Sequence, residues 1–475
     1  MTIPSVTIIE AMTHPALWAR WFRDPATWAA WRVFLAALFD LPMTDEDLAL
    51  YRDCTGRTDP PAAGAREAWL VVGRRGGKSM VLALIAVYLA AFRNWRPYLA
   101  PGELGTVKVL ATDRRQARVI HRYCRALLTE VPVLASLVER DTDDEIVLTS
   151  GVVIEVQTAT FRAVRGYTIV AALLDEIAFW RNEDSANPDQ EILDALRPAM
   201  ATIPGSMLLC ASSPYARRGV LWNAHRRHYG KDDAPALVWQ AQTRTMNPTV
   251  PAAVIDEAIE RDPASAAAEY LAQFRTDIEG FVTREIVEAA VAPGVFELPP
   301  LASLRYFAFV DPSGGSADSM TLAIAHAEDN ANRAIVDATR EVRPPFSPEA
   351  VVTEFSDLLK SYDCYSVTGD RYAGEWPRER FREHGITYEP AEKPKSDIYR
   401  ELLPALNSRK VELPDDPRLI AQLVSLERRT ARGGRDSIDH PPGAHDDLAN
   451  AVAGAVVLAI GKGDPIAVWR RLMDN

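Results

Sequence analysis

The sequence predicts an α/β protein in which a parallel sheet carries a phosphate-binding loop and a second α/β domain carries a set of carboxylates. Three observations predict it. The apolar run 68–72 leads into Gly73-Arg74-Arg75-Gly76-Gly77-Lys78-Ser79 and then into an Ala-, Leu-, Ile- and Val-rich stretch at 80–91. A second continuous apolar run, 169–174, ends in Asp175-Glu176. Further along, acids stand where short β-rich runs end, at Asp311 and Asp370, and where an alanine- and valine-rich helix begins, at Asp446-Asp447.

Length and composition set the frame. At 475 residues the chain is too long for one ordinary core, so two or three domains are expected. With 48% hydrophobic and 25% charged residues it reads as soluble and globular. The net charge of −12 argues against a surface coated in positive charge for holding nucleic acid. A local basic groove remains compatible with it, because bound phosphates sense nearby charge more than the total. Cys54, Cys124, Cys210 and Cys364 form no C-x-x-C pair; they suit a reducing compartment and offer no zinc framework. Residues 1–4 lack the basic start of a signal peptide, and the longest apolar run, 80–92, is too short to cross a bilayer. A cytoplasmic protein without a membrane span is the expectation.

Taken in order, residues 1–67 hold Trp18, Trp21, Trp28 and Trp31 in helical stretches and end in the polar Asp59-Pro60-Pro61. The tryptophans read as core rather than as a stacking platform. Strand, glycine-rich loop, Lys-Ser and helix then follow in the order a phosphate loop requires. The loop amides and the helix N-terminus point at phosphates, Lys78 adds a mobile positive charge, and Ser79 would ligate Mg²⁺. The first glycine of G-x-x-x-x-G-K-[ST] falls on Val72, so the pattern is imperfect.

A buried strand at 106–111 precedes a helix at 113–128 with Asp113 as its cap, followed by strands at 145–148, 152–157 and 169–174. Strands alternating with helices indicate a parallel sheet, whose strand carboxyl ends meet the ligand. There Asp175 is suited to hold hydrated Mg²⁺, and Glu176 to polarise the water that attacks the γ-phosphate of ATP. A further strand at 207–211 ends in Ser212-Ser213-Pro214, either a γ-phosphate sensor or a simple turn.

Residues 269–288 read as helical and charged, and the proline-rich 293–300 marks a boundary near residue 300. The expected division is a helical lead-in at 1–67, a nucleotide domain at 68–275, a linker at 276–300 and a second domain at 301–475. In that second domain the acids at Asp311, Asp370 and Asp446-Asp447 are what two-metal phosphodiester cleavage needs. Two Mg²⁺ or Mn²⁺ ions about 4 Å apart activate a water and stabilise the leaving oxygen, and carboxylates are their proper hard ligands. His440 and His445 read as loop histidines rather than ligands.

Both halves together resemble the large terminase subunit of tailed bacteriophages, the ATP-driven motor that packages and cuts viral DNA. The resemblance spans about residues 15 to 460. In that family the phosphate loop commonly lacks its first glycine and carries an early arginine, matched here by Arg74. Lys78, Ser79, Asp175 and Glu176 match its Walker A and B positions. Residues 208–214 match its coupling motif, and Arg165-Gly166 matches an Arg-Gly motif ahead of the Walker B strand. Asp311, Asp370 and Asp446-Asp447 match the acids of its RNase H-like nuclease. The family usually continues the last motif with a further acid, where this chain has Asn450, which leaves open whether Asp446 or Asp447 ligates metal.

The resemblance implies a P-loop ATPase domain followed by an RNase H-like nuclease domain. It implies ATP and Mg²⁺ at 73–79 and Asp175, catalytic roles for Glu176, Arg74 and Arg165, and two Mg²⁺ or Mn²⁺ ions in the nuclease. Double-stranded DNA, the portal protein, the small terminase subunit and a ring of five copies are the implied partners, and the host bacterial cytoplasm the implied place. Two readings compete with it: an ATP-dependent helicase-like repair nuclease, and a nucleotide-gated DNA-binding assembly protein with an inert nuclease half. The acid triplet disfavours the inert form.

Overall fold

A computed structural model describes residues 6–160, 166–180, 185, 187–316, 318–328, 333–370, 375–430 and 436–461. The main break between its two compact units falls after Thr276.

In the first unit the apolar runs become strands β1 (Glu67–Val72), β2 (Gly105–Ala111), β3 (Val138–Asp141), β4 (Glu145–Leu148), β5 (Val152–Thr158), β6 (Thr168–Asp175), β7 (Met207–Ser212) and β8 (Leu237–Ala241). Their spatial order is β3-β4-β5-β2-β6-β7-β1-β8. The six strands from β5 to β8 in that order run parallel, and β3 and β4 add an antiparallel edge. The central strands are apolar on both faces because both faces are covered. Leu70, Val107 and Leu173 point into one cluster, and Val71, Leu110 and Leu174 into the other.

The first cluster is closed by helices α1 (Ile8–Thr13), α2 (Ala29–Phe39), α3 (Asp45–Thr55), α4 (Lys78–Phe92) and α5 (Arg114–Thr129). Trp18 and Trp31 are fully buried in it, as core residues should be. Asp113 caps α5 by accepting from Gln116 N at 2.8 Å. The crossover that matters for the site is β7, which lies between β1 and β6. The loop after β1, the serines ending β7 and the acids ending β6 therefore share one rim of the sheet.

The second unit holds β9 (Ile278–Gly280), β10 (Tyr306–Asp311), β11 (Met320–Glu328), β12 (Arg333–Val342), β13 (Ser366–Gly369), β14 (Thr387–Pro390), β15 (Val411–Glu412), β16 (Glu427–Thr430) and β17 (Asp436–Asp439). The main sheet has the order β14-β13-β10-β11-β12-β15. β10, β11 and β12 form an antiparallel meander, while β13 and β14 run parallel to β10 on its other side. That is the RNase H-like arrangement. The C-terminal helix Asp447–Gly461 lies on this sheet, and its Gly454 makes the approach possible. A Cβ there would stand 2.2 Å from the Phe309 ring.

Two expectations about the junction change. The stretch 269–288 is not one helix: the helix Pro263–Glu269 ends where it begins, and β9 and a short helix, Arg284–Glu288, follow. Pairing of β9 with β16 overrides the local helical pattern. Residues 276–300, expected as a linker, contribute β9 and the core residue Val287 to the second unit. Among the described residues no helix is long and apolar enough to cross a membrane, and all four cysteines are buried free thiols.

Candidate active sites

The first site grows from the turn between β1 and α4. Gly73 is required by space, since a Cβ would lie 2.4 Å from Thr243 Oγ1 and 2.7 Å from the Tyr270 carbonyl oxygen. Gly77 is required by conformation, with φ +97°. The loop carbonyls are held from behind: Thr243 Oγ1 donates to Arg74 O (2.8 Å), Asn247 Nδ2 to Arg75 O (2.9 Å) and Trp31 Nε1 to Gly76 O (2.8 Å). Among the described residues no side chain caps α4, which leaves its first-turn amides for an anion.

Lys78 is 5% exposed and its Nζ donates to Val72 O at 3.1 Å and Ser213 Oγ at 3.0 Å. The same ammonium lies 3.2 Å from Glu176 Oε1. Glu176 Oε2 in turn accepts from Ser212 Oγ and Ser213 N, both at 3.1 Å. Lysine, glutamate and the two serines thus form one network across the ends of β1, β7 and β6. Glu176 adopts a left-handed conformation, φ 53° and ψ 41°, a strain of about 1–2 kcal/mol for a residue with a Cβ.

Beside this network Ser79 Oγ donates to Asp175 Oδ2 at 3.0 Å. Gln116 Nε2 donates to both, at 3.0 Å to Ser79 Oγ and 2.8 Å to Asp175 Oδ2. Asp175 Oδ1 is buried and, among the described residues, has no hydrogen-bond partner. Burial, then the Glu176 charge, pushes the Asp175 carboxyl up to about 6, against the pull of Gln116, Lys78 and Ser79. A buried orphan oxygen beside a hydroxyl is a hard-oxygen donor set that fits Mg²⁺.

Arg74 stands apart from this network. It is tied outward to Glu269, with Nη1–Oε1 at 3.1 Å and its own N–H on the Glu269 carbonyl at 2.5 Å. Arg165 lies outside the described residues. Gln116 is a site residue that no motif in the sequence singles out. A polar side chain in the first turn of a helix after a parallel strand is the signal that could have found it.

In the second unit Asp311 ends β10 and Asp370 directly follows β13, which pairs with β10 through Val310↔Gly369. Tyr388 OH donates to Asp370 O at 2.9 Å, and glycine at 369 makes room, since a Cβ would lie 2.4 Å from the Tyr388 hydroxyl oxygen. From the helix Asp447–Gly461, Asn450 Nδ2 donates to Asp311 Oδ2 at 2.8 Å. Burial raises Asp311 to about 7; Asn450 opposes this, and Asp447, Asp446 and Asp370 add to it.

The adjacent acids differ. Asp446 is buried and saturated: Lys395 Nζ lies 3.1 Å from Oδ2, and Tyr399 OH donates to Oδ2 at 2.8 Å. Asp447 accepts Ser319 N–H on Oδ2 at 3.2 Å and is raised to about 6, by burial and then by Asp446. His445 Nδ1 lies 3.6 Å from Asp318 Oδ1, and His440 Nε2 lies 3.9 Å from Asp446 Oδ1. Asp439, His440 and Asp446 have the spacing of a metal cluster, but the Lys395 ammonium already sits 2.7 Å from Asp439. Carboxylates at the ends of the neighbouring strands β10 and β13 and at the start of the helix Asp447–Gly461 are hard-oxygen donors that fit divalent cations.

The two sheets with their rims define a P-loop nucleotide-binding unit followed by an RNase H-like unit. No family model matches the sequence, and no curated protein does. Solved structures that the chain is similar to are large terminases. That of bacteriophage HK97 is 17% identical, covering 90% of this chain and 99% of its own, with a TM-score of 0.38. One from a thermophilic bacteriophage, in complex with ATP-gamma-S, is 12% identical over 91% of this chain and 99% of its own, with a TM-score of 0.37. The large terminase nuclease from thermophilic phage G20c, with bound magnesium, is 16% identical over 37% of this chain and 96% of its own, with a TM-score of 0.31.

Proposed function

We propose that this chain is a large terminase subunit: an ATP-driven translocase of double-stranded DNA joined to a metal-dependent endonuclease that cuts concatemeric viral DNA. One observation carries the reading. A single chain holds a phosphate loop whose lysine meets a carboxylate and a strand-end serine, and also an RNase H-like sheet with acids at its catalytic edge.

Bound ATP with Mg²⁺ supplies the transferable phosphoryl group and its charge neutralisation. Ser79 and Asp175 would hold the ion. Drawn onto the phosphates, the Lys78 ammonium would leave Glu176, whose freed carboxylate can then orient and polarise the attacking water. Ser213, bonded to both the lysine and the glutamate, moves with that exchange, so the end of β7 reports the occupancy of the γ-phosphate position. In the nuclease unit two divalent ions would supply a hydroxide and stabilise the leaving oxygen. Asp311, Asp370 and Asp447 would hold them, and Asn450 orients Asp311.

The reading carries further expectations: a ring of five copies on a portal protein, a small terminase subunit that delivers DNA, and the host bacterial cytoplasm as the place of action. The test is direct. Purified protein should hydrolyse ATP faster with duplex DNA present, cut plasmid with Mn²⁺, and co-sediment with portal protein. Strand separation without portal binding would instead favour the helicase-like nuclease. Absence of both activities removes the reading.

A further inference from the structure

Helix α5 reaches the nucleotide site with its first turn and faces solvent with a row of cations. Gln116 projects inward onto Ser79 and Asp175. Outward, Arg114, Arg115, Arg118 and Arg122 are all exposed, and among the described residues none of the four side chains has a hydrogen bond or an ion pair. At 100° per residue they fall within an arc of about 100°, a stripe about 12 Å long. Some other arginines of this unit are paired, Arg20 with Glu130, Arg197 with Glu67 and, on the same helix, Arg125 with Asp141 at 2.7 Å. Like charges four residues apart weaken a helix. A row of four uncompensated cations in a chain of net charge −12 therefore asks for an anionic partner with charges along a line.

We infer that the α5 arginine stripe is a contact of the nucleotide unit with the phosphate backbone of double-stranded DNA, and that α5 couples this contact to the Ser79–Asp175 pair through Gln116. The inference rests on the translocase reading and adds where the DNA is held and how the nucleotide site senses it. Guanidinium groups suit phosphate oxygens, and contacts to phosphate are independent of sequence, as translocation along any DNA requires. Gln116 is a positioning residue: it holds the hydroxyl and carboxylate that would receive the metal, on the helix that would bear the DNA.

The test compares the full-length parent with Arg114→Gln/Arg115→Gln/Arg118→Gln/Arg122→Gln and with the same four positions changed to lysine. Glutamine keeps helix propensity and these exposed positions remove no packing, so the lysine variant should melt with the parent and the glutamine variant no lower than it, since it also loses the repulsion between like charges. Duplex affinity is measured by anisotropy across salt concentrations. The glutamine variant should bind at least about tenfold more weakly near 0.1 M salt. Its log–log salt slope should be shallower by up to about 3.6, which is about 0.9 for each phosphate that is no longer neutralised. The lysine variant should recover most of both. Arg118→Gln/Arg122→Gln, remote from the nucleotide, should keep basal ATPase while losing DNA stimulation.

In the second arm, Gln116→Leu should bind DNA like the parent and bind a fluorescent ADP normally in EDTA. It should lose most of the tightening that Mg²⁺ produces, about 10–100-fold for an outer-shell partner. If the parent binds no duplex, the translocase reading falls and this inference with it. If the parent binds and the glutamine variant matches its affinity and slope, only the stripe assignment falls. Loss of basal ATPase with DNA binding intact would assign the stripe to nucleotide instead and overturn it. Undiminished Mg²⁺ tightening in Gln116→Leu would overturn the coupling.

Discussion

Asn450 donates its side-chain amide to Asp311 Oδ2 at 2.8 Å, joining the first turn of the C-terminal helix to the end of β10. Where the resembled family usually continues with another acid, this chain has a donor, 2% exposed. The amide relieves the crowding of Asp311 by Asp447, Asp446 and Asp370. Asn450→Asp removes the donor and adds a like charge. The metal-free protein should lose about 1–3 kcal/mol, or roughly 2–4 °C of melting temperature per kcal/mol in a unit of this size. Mn²⁺ should then raise the melting temperature more than in the parent, because it binds the folded state. Equal metal-free melting temperatures would mean that this bond carries no weight.

The raised acids give a pH dependence of definite sign. Asp311 is raised to about 7 and Asp447 to about 6, against about 3.9 for an unfolded aspartate. The folded, metal-free protein holds these protons more tightly than the unfolded chain. Their contribution is therefore fully present below about pH 4 and is lost as pH rises through 6 and 7. Asp311→Asn cannot ionise there. The melting temperature of the variant minus that of the parent should grow from pH 4 to pH 7.5 in EDTA. A difference that is flat or shrinks over that window shows that Asp311 titrates normally.

The parts that were legible in the sequence are those in which one strand ends in its own functional residue. β1 and β6 are continuous apolar runs that stop at the phosphate loop and at Asp175-Glu176, and β10 stops at Asp311. The partners supplied by a different element were not legible. Gln116 meets Asp175 only because β2, which precedes α5, is inserted beside β6. Lys395 and Tyr399 meet Asp446 from a helix whose sequence looks like any amphipathic segment. The 269–288 stretch failed for the same reason, since β9 is a strand only because β16 is there to pair with it. Local pattern reports burial and periodicity, and crossovers lie beyond its reach.

The lysine network sets up opposite outcomes for its two ends. Lys78→Ala removes the charge that would meet the phosphates and leaves Glu176 without its counter-ion, so ATP binding and hydrolysis should both be lost with the fold intact. Glu176→Gln keeps the Ser79–Asp175 pair and so should still bind ATP with Mg²⁺, while turnover falls by at least about 10² as expected for a lost general base. Filter binding of labelled ATP beside phosphate release separates the two. Hydrolysis at the parent rate in either variant would remove the ATPase assignment.

Asp446 and Asp447 should separate cleanly. Both Asp446 oxygens face Lys395, and Tyr399 takes one as well, so Asp446→Ala leaves a half-buried ammonium short of a partner. It should destabilise the protein while Mn²⁺ binding by calorimetry persists. Asp447 accepts one backbone hydrogen bond through Oδ2 and is raised by burial and then by the neighbouring Asp446. Asp447→Ala should abolish Mn²⁺ binding and plasmid cutting with ATPase near normal, as should Asp311→Ala and Asp370→Ala. The opposite ranking of the two adjacent acids would give the ligand role to Asp446.

The Arg74 side chain is turned away from the Lys78–Glu176 network by a pair that is easy to break. Its guanidinium is 62% exposed and Glu269 is 39% exposed, and exposed pairs contribute about 0–1 kcal/mol. Phosphates bound on the loop can therefore recruit Arg74 at small cost. If it stabilises the charge on the transferring phosphoryl group, Arg74→Ala should lower kcat by about 10³ or more. Glu269→Gln should leave kcat intact or raise it by no more than about fivefold, the equivalent of 1 kcal/mol. That gain should vanish in the Arg74→Ala background, because Glu269 acts only through the arginine. Arg165 is the rival for the same role, acting on a neighbouring subunit, and mixing distinguishes them. Arg74 and Lys78 belong to one loop, so Arg74→Ala mixed with Lys78→Ala should recover no ATPase. Arg165→Ala mixed with Lys78→Ala can pair an intact arginine with an intact loop across an interface and should recover part of it. Recovery in the Arg74 mixture, or an Arg74→Ala enzyme within threefold of the parent, would take the transition-state role away from Arg74.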